Sequence, residues 1–325
     1  MVRSDSGRVS RGLDRWVRSE ENASDHAPAW IVLDHLTERK VSLYMMNQNP
    51  AASDWAAARG EKWRAQLTGM EAMLAPVDPV LIQALHLDGP YRIADLACGG
   101  GGTTVEILRR APAGTIVHGF DISPTLIEVA RTRSLPAEGS IAFKVANLAT
   151  AAAPKEPYDR LGSRFGVMFF DDPQAAFANL FDWLAPGGRF AFAVWGPLAE
   201  NPWVTSVHEV LAEIVDIPPS DPEAPGPFRY AEASKLLILL DRAGFRALDV
   251  RDWRGDLRMG GGLSAAEAAD FALASFSSFN ELLVEAGDEA LHTARRSLTT
   301  RFSRHQQAGI VQMGACVHIL TGARP

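Results

Sequence analysis

Residues 92–124 read RIADLACGGGGTTVEILRRAPAGTIVHGFDISP. Arg92 to Ala97 is an apolar run of strand length, and the glycines Gly99 to Gly102 follow Cys98 without interruption. Val105, Ile107 and Leu108 then mark the apolar side of a helical pattern. A second apolar run, Thr115 to Phe120, ends on Asp121. Strand, glycine turn, helix, strand and acid in that order predict a nucleotide-binding βαβ unit. Glycines at a strand end admit positive φ and let bare backbone approach a ligand. The following helix offers unpaired N–H groups and the positive end of its dipole. Asp121, about twenty residues past the glycines, stands where a carboxylate accepts both ribose hydroxyls of a nucleoside.

A dinucleotide fingerprint, G-x-G-x-x-G, starting on Gly99 and Gly101 would place its third glycine on Thr104. It also usually opens its domain, whereas this unit starts at Arg92. The stretch Asp95-Leu96-Ala97-Cys98-Gly99-Gly100-Gly101 instead resembles the D-x-G-x-G-x-G loop of class I S-adenosylmethionine-dependent methyltransferases, with Ala97 in place of the first glycine. Phe120-Asp121-Ile122-Ser123-Pro124 is similar to that family's second motif. Leu184-Ala185-Pro186-Gly187-Gly188-Arg189-Phe190 is similar to its turn before strand five. The resemblance covers roughly residues 91–195. Within the family, Ser163-Arg164-Phe165-Gly166 and Ala193-Val194-Trp195-Gly196 resemble the ubiquinone/menaquinone-biosynthesis-like group.

The resemblance implies an α/β, doubly wound, Rossmann-like fold. Its seven-stranded sheet is mostly parallel with the last strand antiparallel between strands five and six, and it carries an N-terminal helical lid and a C-terminal helical cap. It implies S-adenosyl-L-methionine as cofactor, held by Asp95, Ala97, Gly99, Gly101, Asp121, Ile122, Asn147, Leu148, Arg164 and Phe165. Asn147 stands where the family commonly places an Asp against adenine. An Asn still accepts a hydrogen bond from the exocyclic amine, and the alternative is that Asn147 caps a loop.

The 325-residue chain, 47% hydrophobic, has ample material for a buried core, and no segment approaches the length of a membrane span. A net charge of -7 argues against nucleic acid as the main partner. The N-terminal arginines are mixed with Asp14, Glu20 and Glu21, unlike a transit peptide, and no apolar signal segment follows Met1. Cys98 and Cys316 form no metal spacing and read as small core residues in strand-like runs. The expected compartment is the cytoplasm, and the expected state a monomer or homodimer without membrane attachment.

Five regions follow. Residues 1–45 form a loosely packed extension, with an upstream mis-assigned start as an alternative. Residues 46–90 make the helical lid, in which Trp63, Leu67, Met70 and Leu74 form one stripe. Trp63 and Gln66 border the methionine end of the cofactor if the helix is a lid; otherwise Trp63 and Met70 simply pack on the core. Residues 91–195 are the cofactor core. Residues 196–310 are a substrate cap that includes strand six, Leu248 to Met259. Residues 311–325 add the final strand.

Ser123-Pro124 and Asp172-Pro173 have the N-cap and first-turn proline of a helix start, and Ser264 to Glu267 is a capping box. The aromatic cluster after strand four is expected to turn Arg164 and Phe165 to the site and Phe170 inward. Trp203, Phe165, Met168, Phe271, Phe276 and Phe279 are candidates for an apolar acceptor pocket.

S-adenosylmethionine carries an already activated methyl group, so alignment and exclusion of water supply most of the catalysis. A general base is needed only for an acceptor protonated at working pH. His208, in the helix after Trp203, is the candidate base; the alternative is a partly exposed helix histidine. The expected reaction is methyl transfer to a small, mainly hydrophobic molecule, to oxygen before carbon. The other readings are an NAD(P)-dependent oxidoreductase and a non-catalytic S-adenosylmethionine-binding module.

Overall fold

The computed structural model describes residues 55–133, 140–217, 221–275 and 277–325, with the side chains of Ser140 and 277–279 left aside. The expected extension, residues 1–45, and the first part of the expected lid lie outside the described residues, as do Phe276 and the side chain of Phe279.

Helix α1 (Ala58–Leu74) buries Leu67, Met70 and Leu74 of the expected stripe. A 3-10 turn at Ala75–Val77 leads into α2 (Asp78–Ala84), which opens with Pro79 in its first turn. Strand β1 (Arg92–Leu96) feeds the glycine loop and α3 (Gly102–Arg110). Strand β2 (Ile116–Asp121) follows, then α4 (Pro124–Arg131), β3 (Ser140–Val145) and β4 (Tyr158–Arg164). The expected caps form: Ser123 Oγ accepts from the Leu126 amide at 3.4 Å, and Asp172 Oδ1 from Ala175 at 2.9 Å at the start of α5 (Pro173–Trp183).

Strand β5 (Leu184–Trp195) begins five residues before the expected Arg189. The Pro186-Gly187-Gly188 corner is held within it because the chain end pairs with it. Gly187 N–H donates to the Arg324 carbonyl at 2.9 Å, and Arg324 N–H returns to Gly188 at 3.0 Å. Gly187 has φ 75°, a conformation glycine adopts without steric cost.

Beyond β5 come α6 (Pro202–Ala212), α7 (Ala233–Arg242) and β6 (Arg246–Arg258). Helices α8 (Ala265–Ser275), α9 (Ser277–Ala286) and α10 (Asp288–Ser303) precede a two-residue strand, β7 (Gln306–Gln307), and β8 (Ile310–Ala323). Ser264 Oγ donates to Glu267 Oε2 at 2.7 Å in the expected capping box.

The sheet order is β3-β2-β1-β4-β5-β8-β6, with β7 pairing β8. The pairs from β3 to β5 are parallel, and β8 runs antiparallel to both β5 and β6. The α/β, doubly wound, mostly parallel sheet is the one expected. Register positions the site: Leu96 pairs Phe120, and Asp95 pairs Gly162. The chain leaving β1 therefore emerges beside Asp121 on one side and Arg164-Phe165 on the other. That is the switch point between β1 and β4, where sheets of this type leave a crevice at their carboxyl ends. Among the described residues no helix is long and apolar enough to cross a membrane.

Candidate functional site

A cavity of about 280 Å³ opens at the carboxyl ends of the strands, bounded above by α1 and on the far side by α6 and the end of α8. Its floor is the loop after β1. Cys98 N–H donates to the Phe120 carbonyl at 2.9 Å, which carries the loop to β2. Gly99 N–H then donates to Asp121 Oδ2 at 2.8 Å, while Ser123 N–H donates to Oδ1 at 2.9 Å. The two amides fix the carboxylate's rotamer, and each oxygen keeps a second lone pair for a ligand. Burial raises the Asp121 carboxyl above its ordinary range, against the pull of these amides.

Ala97 has φ 52°, the left-handed conformation that its motif normally reserves for glycine. The methyl group finds room because residue 166 has none: a Cβ on Gly166 would collide with it. Gly99 has φ 55°, and a side chain there would project toward the Trp63 indole nitrogen, 3.7 Å away. Gly100 presses on α1, where an added Cβ would run into Leu67. The same helix clamps the loop from above. Arg133 donates to the Gly100 carbonyl and to both oxygens of Glu71, at 2.7 and 2.6 Å. Glu71 Oε1 in turn accepts from Gly102 N–H at 3.3 Å, at the start of α3.

Of the expected cofactor residues, Asp95, Ala97, Gly99, Asp121 and Ile122 line the cavity, and so do Asn147, Leu148, Arg164 and Phe165. Gly101 does not. It has φ 82°, and a Cβ there would meet the Phe143 ring at 2.7 Å, so its bareness serves packing under the loop. Gly100 takes the place on the cavity wall that the alternating motif assigned to Gly101.

Asp95 is buried and accepts from Thr104 Oγ1 at 2.6 Å, which explains why a threonine occupies the third position of the glycine pattern. Burial pushes its carboxyl up to about 7. Arg164 Nη1 lies 3.0 Å from Asp78 Oδ2, so its charge is matched inside the protein. Burial nevertheless raises the Asp78 carboxyl, outweighing Arg164 and the Thr103 hydroxyl. Asn147 Oδ1 accepts from Ala149 N–H at 3.0 Å, so it caps its loop while its side chain still lines the cavity. Its oxygen keeps a second lone pair, and its amide nitrogen two donors, for a ligand.

The far wall is aromatic. Phe165, with φ 62°, stacks on Trp195 at 4.1 Å and 13°, and Trp195 leans on Trp203 at 4.7 Å. Met168 joins them as expected. Phe170, expected to face inward, lines the cavity while its edge meets Phe177 at 5.6 Å. Phe271 is instead buried under α1, its ring against Gly69. Trp63 and Gln66 reach the cavity as expected of a lid, joined by Trp55.

Trp195 was readable as a strand-five carboxyl end, where ligands sit in such sheets. Nothing in the local sequence marks Ser275, which the structure also brings to the wall.

His208, the candidate base, is absent from the described lining. It lies five residues after Trp203, about 140° further round the helix, so only the Trp203 side of α6 meets the cavity. The residue is 4% exposed, and burial pulls its imidazole down to about 4. It is neutral at physiological pH and does not reach the site.

The cysteines separate. Cys316 is buried in β8, but Cys98 is half-buried on the cavity floor rather than in the strand core. Cys316, Asp252 and His318 bring ligand atoms within 4.8 Å of one another. There Arg254 already holds Asp252 at 3.0 Å and Glu200 at 2.7 Å, so the cation in that group is a guanidinium.

The comparisons agree with this geometry. Residues 93–188 match the family model described as a methyltransferase domain. The trans-aconitate 2-methyltransferase of Streptomyces coelicolor is 35% identical over 129 residues, 39% of this chain and 40% of that protein. The demethylmenaquinone methyltransferase of Thermus thermophilus is 32% identical over 108 residues, 33% of this chain and 49% of that protein. Phosphoethanolamine N-methyltransferase 1 of Zea mays is 31% identical over 108 residues, covering 33% of this chain and 21% of that protein. The match thus spans less than half the length of these curated relatives.

A solved Anabaena variabilis protein, described as coming from an antibiotic biosynthesis pathway, shares the fold. It has a TM-score of 0.51 at 16% identity, over 75% of this chain and 96% of that one. Residues 93–188 thus form a methyltransferase domain.

Proposed function

We propose that this chain transfers a methyl group from S-adenosyl-L-methionine to a small, mainly apolar molecule, with oxygen as the acceptor atom. The observation that carries this is the bare Gly99-Gly100 backbone beside the buried Asp121 carboxylate, in one cavity with an aromatic wall. The residues fit the cofactor. Asp121 offers two acceptor oxygens for a vicinal diol, Asn147 an amide donor for an adenine nitrogen, and Ile122 and Leu148 apolar contact for the purine. The bound cofactor supplies an electrophilic methyl on a sulfonium.

The protein's own part is to hold and to dry. Helix α1, clamped by Glu71 and Arg133, acts as the lid; the cap within residues 196–310 closes the acceptor end through Trp203, Pro227 and Ser275. With His208 turned away, positioning carries the reaction, which suits an acceptor that ionises readily. Of the acceptors in the relatives' names, an apolar quinone precursor such as demethylmenaquinone matches the aromatic wall best. The negative net charge supports a small-molecule substrate over nucleic acid, and two free thiols suit a reducing cytoplasm. The enzyme is expected to work as a monomer or homodimer.

Calorimetry with S-adenosylhomocysteine, followed by mass spectrometry of extract metabolites with and without enzyme and cofactor, tests this. Binding plus a gain of one CH₂ on an apolar metabolite is expected. Binding of NADH but not of S-adenosylhomocysteine would return the chain to the oxidoreductases, and binding without turnover to the non-catalytic modules.

A further inference from the structure

The glycine loop after β1 lies between two carboxylates. Gly99 N–H donates to Asp121 Oδ2 at 2.8 Å, and Gly102 N–H, the first of α3, donates to Glu71 Oε1 at 3.3 Å. Glu71 belongs to α1 and stands on the cavity wall. Two of the glycines are bare to make room for it. A Cβ on Gly102 would lie 2.9 Å from the Glu71 carboxyl carbon, and one on Gly100 would lie 3.2 Å from its Oε1. The next two residues of α3 also meet carboxyl groups: Thr103 Oγ1 donates to Asp78 Oδ1 at 2.9 Å, and Thr104 Oγ1 to Asp95 Oδ2 at 2.6 Å.

In a dinucleotide-binding βαβ unit the pyrophosphate takes this place, over the glycine turn at the positive end of the helix. Here an anion of the chain itself holds it. Arg133 fixes that anion, its Nη2 lying 2.7 and 2.6 Å from the two Glu71 oxygens, with both side chains half-buried. A phosphate on the 5′ carbon of a ribose bound at Asp121 would meet a like charge where a dinucleotide site offers free amides. S-adenosylmethionine avoids this clash. A cationic sulfur replaces its 5′ phosphate, and its carboxylate sits at the far end of a flexible chain that can turn elsewhere.

Resting on the methyl-transfer reading of this cavity, we propose that Glu71 is a cofactor-specificity residue. Its carboxylate occupies the anion place at the start of α3, excludes nucleosides that carry a 5′ phosphate and admits a sulfonium nucleoside.

The test is competition against labelled S-adenosylhomocysteine on the full chain, in magnesium-free buffer. It gives the affinities of adenosine and ADP, which share a nucleoside and differ in the 5′ diphosphate. The readout is their ratio, because a merely loosened α1 lowers both affinities and leaves the ratio in place. Wild type should bind adenosine more tightly than ADP. Glu71→Gln should shift the ratio toward ADP by about tenfold, the order expected when one unit charge is removed from a partly screened contact. Arg133→Met leaves Glu71 charged and unbalanced, and should shift the ratio further toward adenosine. A wild type that prefers ADP, a ratio unmoved by Glu71→Gln, both variants shifting it in the same direction, or adenosine that displaces nothing would each overturn the proposal, and bound S-adenosylhomocysteine would leave the methyl-transfer reading standing. A wild type that binds no S-adenosylhomocysteine overturns that reading and the proposal together.

Discussion

The two ends of the cavity are built by opposite means. At the loop end, a short segment supplies nearly everything: Ala97, Gly99, Gly100, Asp121 and Ile122 come from one βαβ unit and are fixed by backbone amides. At the acceptor end, each element gives one side chain, Phe165 from β4's exit, Trp195 from β5, Trp203 from α6 and Ser275 from α8. The first end is a backbone device whose residues are neighbours in sequence. The second is a side-chain mosaic whose members come from elements spread along the chain from Phe165 to Ser275. Such a division lets one end keep a constant ligand while the other is free to vary.

The sharpest way to break that contrast is Asp121→Ala. Removal of one or two charge-assisted hydrogen bonds should weaken S-adenosylhomocysteine binding by about 2–4 kcal/mol, with the affinity for 2-naphthol, an apolar ring probe of the acceptor end, unaltered. Calorimetry that finds the cofactor affinity intact would dissolve the distinction between the ends.

Asn201→Ala tests the other end. Asn201 is fully buried; its amide donates to the Pro197 carbonyl at 2.8 Å, and its oxygen accepts from Trp203 Nε1 at 3.1 Å and Cys316 N–H at 3.2 Å. The variant should lose about 2–3 kcal/mol of stability, since several buried groups lose partners, and weaken 2-naphthol binding through a loosened Trp203. Denaturant unfolding and dialysis check both; a variant as stable as wild type would mean Asn201 organises nothing.

A subtler comparison uses pH. The Asp95 carboxyl is raised in the folded chain, so the folded state holds its proton longer than the unfolded one, and Asp95's stabilising contribution is present below pH about 4 and lost as pH rises toward about 7. His208 works in the opposite sense: its lowered value gives a contribution present above pH about 6.5 and lost as pH falls toward about 4. Each slope is at most about 1.4 kcal/mol per pH unit. Asp95→Asn should therefore gain stability with pH more steeply than wild type between pH 4 and 7, measured as Tm, and His208→Leu less steeply. An unchanged profile in both would show that neither group stays buried in its stated form.

The smallest effect is expected at Ala97→Gly, which relieves a left-handed alanine. Stability should rise by about 1 kcal/mol or less, offset in part by the space left over Gly166. A clear loss would show that the methyl group holds the loop rather than being tolerated by it.

The loop, the acid and the order of strands could be read from residues 92–124 because their meaning is local. Glycine positions, caps and strand-end acids are set by backbone sterics and by hydrogen bonds a few residues long. Even there, the alternating motif misassigned Gly101, since whether bare backbone faces a ligand or a neighbouring Phe143 depends on packing across the sheet. His208 misled for a similar reason: proximity to Trp203 along the chain said nothing about which side of α6 meets the cavity.

What the sequence determined by itself was the βαβ unit, its acid and the sheet that follows from them, because short-range sterics and periodicity encode those directly. Only the tertiary structure decided the acceptor wall, with Ser275 brought to it and Phe170 turned to the cavity. Those facts depend on contacts between residues more than a hundred positions apart, which no local pattern records.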